Sequence, residues 1–112
     1  MEPAANQAAP PALAAALERL WVRFLPEMRE RVSLIAAAAQ SLAAGSLTPE
    51  QLDAAHAAAH KLSGTLGTFN LPRGTDLARE LELVFASAPD PASAPRLASL
   101  VAELRSLIES RK

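Results

Sequence analysis

Apolar residues in this chain recur every three or four positions and nowhere alternate with polar ones over a sustained stretch. A side chain that returns at that interval lies on one face of a helix, whereas a half-buried strand needs a period of two. The pattern predicts helices and no strands. Alanine, leucine, glutamate and arginine dominate, all good helix formers, and β-branched residues are sparse. A length of 112 residues suits one domain with a modest core, which needs neither disulfide nor metal to hold it.

Prolines and glycines set the expected boundaries. Residues 1–10 read as a disordered Ala/Pro tail, and residues 11–112 as the folded domain. A first helix is expected from Pro11 to about Leu25, with Leu13, Leu17, Leu20, Trp21 and Phe24 on one stripe. Pro26 either starts a new helix or kinks a continuous one. The segment after it runs to about Ala44 with Met28, Val32, Ile35, Ala39 and Leu42 inward, and Gly45 stands where a C-cap glycine belongs. Thr48 is an N-cap, Pro49 fits the first helical position, and Gln51 completes a capping box, so a further helix runs from there to about Phe69. Pro72 opens another to about Ser87, with Leu77, Leu81, Val84 and Phe85 inward. After the breaker segment 89–95 a last helix reaches about Glu109 on Leu97, Leu100, Val101, Leu104, Leu107 and Ile108. Short connections make successive helices antiparallel. The expected fold is all-α, an antiparallel four-helix bundle with an additional short or kinked N-terminal helix.

Composition removes many functions. There are no cysteines, hence no thiol chemistry and no cysteine-ligated zinc. Net charge is -1 with 11 basic and 12 acidic residues dispersed along the chain, without the basic cluster of a nucleic-acid binder. No apolar run approaches the roughly 20 residues of a membrane span, and no signal peptide is evident, so a cytoplasmic location is expected. There is no GxxxxGK[ST] loop, no GxSxG elbow and no HExxH pair. Lysine occurs only at Lys61 and Lys112.

Both histidines, His56 and His60, lie on the helix that begins after Thr48. On a wheel with about 100° between residues, Leu52, Ala55, Ala59, Leu62, Leu66 and Phe69 cluster on one side, and His60 falls roughly 130° from the centre of that cluster. His60 is therefore expected to point to solvent. Its own face carries Asp53, His56, Ala57, Ser63, Gly64 and Gly67, all small or polar. A glycine inside a helix costs about 1 kcal/mol relative to alanine, and two of them sit one and two turns beyond His60. One reading is that another protein comes down close over His60; the other is close helix packing, or a helix that ends at Gly67. An exposed imidazole with an ordinary pKa of about 6.5 is largely neutral at cellular pH and offers a free lone pair. It suits nucleophilic phosphoryl transfer, with Lys61 and Ser63 as candidates to meet the phosphoryl oxygens.

The run from Ala59 to Glu82, AHKLSGTLGTFNLPRGTDLARELE, resembles the signature of histidine phosphotransfer (HPt) domains, through His60, Leu62, Gly64, Gly67, Leu81 and Glu82. The stretch Gly64–Phe69 also resembles the phosphotransfer domain of chemotaxis histidine kinases. The resemblance implies a four-helix bundle acting in two-component phosphorelay signalling. His60 would take a phosphoryl group from a receiver-domain aspartate as phosphohistidine and pass it on, with Glu82 hydrogen-bonding the ring and fixing its tautomer. It implies a phosphocarrier without kinase activity, holding no cofactor of its own, with Mg²⁺ on the receiver. The partners would be a response-regulator receiver domain, a histidine kinase or both, with no nucleic acid and no membrane, and the chain would be a monomer. The receiver would dock around His60, over His56, Ala57, Gly64 and Gly67. One position departs from the family: lysine usually follows the histidine by three residues, and here that residue is Ser63. Lys61 occupies a place where some relatives carry lysine, about 100° further round the helix.

Two other readings remain open on the sequence. His56 and His60, one turn apart, have the spacing of two ligands to one ion, with Asp53 or Glu82 as a third. The Ser63 departure also fits a scaffold kept for docking without phosphotransfer.

Overall fold

The computed structural model describes residues 11–111; the tail expected at residues 1–10 lies outside them. Four α-helices follow one another: α1 (Pro11–Ala43), α2 (Pro49–Thr68), α3 (Pro72–Ala86) and α4 (Ala94–Ser110), the last preceded by a 3₁₀ turn at Pro91–Ser93. No strand occurs among the described residues. Helix α1 packs on α2 and α4, and α3 packs on the same two, so the helices run up and down around a square.

The separate N-terminal helix that Pro26 allowed is instead the first half of α1, which runs unbroken through the proline for 33 residues. Proline lacks the N–H that would bond the carbonyl four residues back. That carbonyl belongs to Val22, itself 69% exposed, so water can take the missing place. Trp21 and Met28, on either side of the proline, are both buried in the same core, which holds the two halves in line. At 1.5 Å per residue α1 is about 50 Å long against about 30 Å for α2. Its first turns therefore overhang the bundle. Leu13, Leu20 and Phe24, expected inward, are 49%, 37% and 37% exposed.

The caps follow the local chemistry. Gly45 adopts φ +72°, and its N–H and that of Ser46 donate to the carbonyls of Leu42 (3.1 Å) and Ser41 (2.8 Å), closing α1 in a Schellman motif. At the start of α2 the Gln51 N–H donates to Thr48 Oγ1 at 3.0 Å while the Thr48 N–H reaches Gln51 Oε1 at 3.5 Å. Asn70, at φ 57°, ends α2 with the same motif, the Leu71 N–H reaching the Leu66 carbonyl at 3.0 Å.

The core is wholly apolar among the described residues, with Phe85, Met28, Ile35, Leu62, Leu66, Leu77, Leu81, Leu97, Leu104 and Ile108 fully buried. Trp21 and Phe69 meet edge to face at 5.1 Å, and the Arg111 guanidinium lies 4.4 Å over the Trp21 ring while pairing with Glu18 at 3.0 Å. The interhelical Arg–Glu pairs all fasten α4 or the residue after it: Arg29–Glu109 and Glu18–Arg111 to α1, Arg73–Glu103 and Arg96–Glu80 to α3. None involves α2. The helix that carries both histidines keeps its outer face free of such cross-links.

Candidate functional site

Helix α2 buries Ala55, Ala59, Leu62 and Leu66 completely, and this fixes its rotation. His60 consequently stands outward, its side chain 71% exposed. On α3 the same logic applies to Leu81 and Phe85, which are buried and leave Glu82 at the seam between the helices with its side chain 21% exposed. The two meet: His60 Nδ1 lies 2.9 Å from Glu82 Oε2. A carboxylate only accepts, so Nδ1 carries a proton, and in the neutral ring Nε2 is the nitrogen with the lone pair. The contact also fixes the ring, because Nε2 then occupies the edge turned away from α3. His56 Nε2 lies 3.9 Å from the same Glu82 oxygen, beyond direct hydrogen-bond distance.

The other residues singled out in the sequence share this face without all touching the ring. Ser63 Oγ donates to the His60 main-chain carbonyl at 2.7 Å, so its hydroxyl is turned to the backbone. Ala57, Lys61, Gly64 and Gly67 are exposed. A Cβ added at Gly64 would meet nothing within 4 Å, and at Gly67 only Thr75 Oγ1 at 3.8 Å. Close helix packing thus does not account for Gly64, and the helix does not stop at Gly67 but continues to Thr68. Gly74, not singled out in the sequence, is the glycine that packing crowds: a Cβ there would sit 3.2 Å from Leu66 Cδ1.

On the side of α2 away from Glu82 a groove of about 450 Å³ separates it from α1, lined by Phe24, Glu27, Arg31, Lys61, Gly64, Thr65, Thr68 and Phe69. Its α1 wall was not foreseen. The signal was present, since Leu20, Phe24, Glu27 and Arg31 continue one stripe at spacings of four, three and four. The stripe changes from apolar to charged where it passes α2. Among the described residues no group of three or more His, Cys, Asp or Glu side chains is arranged to hold a metal ion, and no helix is long and apolar enough to cross a membrane.

An outward imidazole on a bundle helix, backed by a carboxylate and flanked by bare glycine, is the arrangement that the sequence resemblance implied. The Hpt domain family model matches residues 19–110. This chain belongs to the Hpt domain family. Hpt domains are histidine phosphotransfer modules of phosphorelays and work with receiver domains and kinases. Protein RcaC of Microchaete diplosiphon is 33% identical over 95 residues, which cover 83% of this chain and 15% of RcaC; the Hpt domain thus matches a small part of that relative. No solved structure matches this chain.

Proposed function

We propose that His60 is the phosphoacceptor of this Hpt domain. Nε2 attacks the phosphorus of a receiver's aspartyl phosphate in line with the bond to be broken. The N–P bond forms as the O–P bond breaks, and the electron pair leaves with the aspartate carboxylate. The Nδ1 proton stays on the ring, which becomes positively charged, and Glu82 faces that charge at 2.9 Å. Glu82 is therefore a positioning residue that sets the tautomer and offsets the imidazolium. Reversal with a second receiver passes the group on. Charge neutralisation by Mg²⁺ is assigned to the receiver. The domain acts as a phosphocarrier without kinase activity of its own, as a monomer in the cytoplasm where ATP feeds such relays. Residues 11–112 form the working unit.

The observation that carries this reading is the single hydrogen bond from Nδ1, which leaves the exposed Nε2 unpaired. The open space above Gly64 supports receiver docking over His56, Ala57, Gly64 and Gly67. The test mixes a ³²P-phosphorylated receiver with the domain. Acid-labile, alkali-stable label on the wild type and none on His60→Gln is expected. Binding of the receiver without label on either protein would establish a docking module instead.

A further inference from the structure

The family's usual cation three residues after the histidine is absent, and Ser63 does not take over its work, because its hydroxyl is held by the His60 carbonyl at 2.7 Å. Positive charge is present elsewhere. Measured round α2 from His60, Ser63 and His56 lie about 60° and 40° to the α3 side, whereas Gly64 and Lys61 lie about 40° and 100° to the other. That other side is the edge to which Nε2 is turned, since Nδ1 is bound to Glu82. It opens on the groove that Lys61 shares with Arg31 of α1. The Arg31 side chain is only 20% exposed and is steadied by Glu27 at 3.6 Å, too long to occupy its donors fully. Gly64, about 40° from His60 on that side, also lines the groove and places no side chain in it.

We propose that Arg31, together with Lys61, supplies the cationic site for the phosphoryl group on His60, in place of the missing lysine at Ser63. The guanidinium fork suits two phosphoryl oxygens at once. The site lies on the α1 side of the histidine, so the bound phosphoryl group leans over Gly64 rather than toward α3. This inference rests on His60 being the phosphoacceptor.

The test uses a small donor, phosphoramidate, alongside the phosphorylated receiver, with intact protein and label followed at His60. Arg31→Gln should slow labelling from both donors about tenfold, and Arg31→Lys should retain most of the rate. Ser63→Lys in the Arg31→Gln background should restore it, while circular dichroism melting stays unchanged. Wild-type rates in Arg31→Gln with both donors would overturn the proposal and leave His60 as acceptor. So would a loss confined to the receiver, which would make Arg31 a docking contact. Absence of label on wild-type His60 would remove the acceptor reading and this inference together.

Discussion

Replacing Gly64 should make the domain more stable and worse at its task. The residue is in the interior of α2 with helical backbone, and an added Cβ has no neighbour within 4 Å. Gly64→Ala therefore gains the helix propensity difference, about 1 kcal/mol, with no packing penalty. For a domain of this size that is a rise in Tm of about 4 °C. On the proposed docking, the same methyl group enters the space that a receiver would fill to bring its aspartyl phosphate to Nε2. Overpacking a tight contact costs about 1–3 kcal/mol, so transfer from the receiver should fall about tenfold for alanine and about a hundredfold for glutamine. Rapid-quench measurement of receiver-to-domain transfer below saturation gives the rate, and phosphoramidate labelling separates loss of receiver approach, which only the receiver reports, from crowding of the phosphoryl group itself above Gly64, which slows both donors. Gly74→Ala completes the comparison: its methyl meets Leu66 Cδ1 at 3.2 Å, so it should gain less stability while leaving transfer unchanged. A Gly64→Gln domain that takes phosphoryl groups from the receiver at the wild-type rate would refute the close-approach argument.

Two further outcomes are expected. Glu82→Ala removes the partner of Nδ1, so ¹⁵N spectra of His60 should show the ring shifting from the single Nδ1–H tautomer to a mixture, with transfer slowed about tenfold; an unchanged tautomer would contradict the assigned role. The second concerns acid. Hydrogen bonds from Arg73 and Arg29 lower the pKa values of Glu103 and Glu109 below the usual carboxylate range. A depressed carboxylate stabilises the fold above its unfolded pKa, and that contribution disappears as pH falls through the lower folded value. Arg73→Gln should therefore lower the urea midpoint at pH 7, and the difference from wild type should close toward pH 3. A difference of the same size at both pH values would show that the pair acts through packing rather than charge.

The parts of this molecule that local chemistry decides were open to reading from the sequence. The Thr48–Gln51 box, the Gly45 cap and the outward rotation of His60 each depend on residues within a few positions of one another, and each has the expected geometry. Pro26 was undecided because the local rule allows both a break and continuation. Burial of Trp21 and Met28 in one core, a tertiary effect, selects continuation. The stripe from Leu13 to Phe24 showed an amphipathic face but not how long the neighbouring helices would be, hence the misplaced Leu13; Leu20 and Phe24 flank the buried Trp21 and lie at the edge of the packed face. Glu82, 22 residues from His60, was reached through resemblance and not through spacing. Arg31 was not reached at all, since only the docking of α1 on α2 brings it to the groove beside Lys61.

The chain contains one tryptophan and no tyrosine, and that tryptophan is wedged between Phe69, the residue closing the histidine-bearing helix, and the Arg111 cation. Its emission is therefore an intrinsic optical probe of this end of the bundle. Phe24, which borders the groove beside Gly64, reaches the same ring cluster at 6.4 Å from Phe69, so occupation of the groove should be read in the fluorescence of an unlabelled protein, in real time.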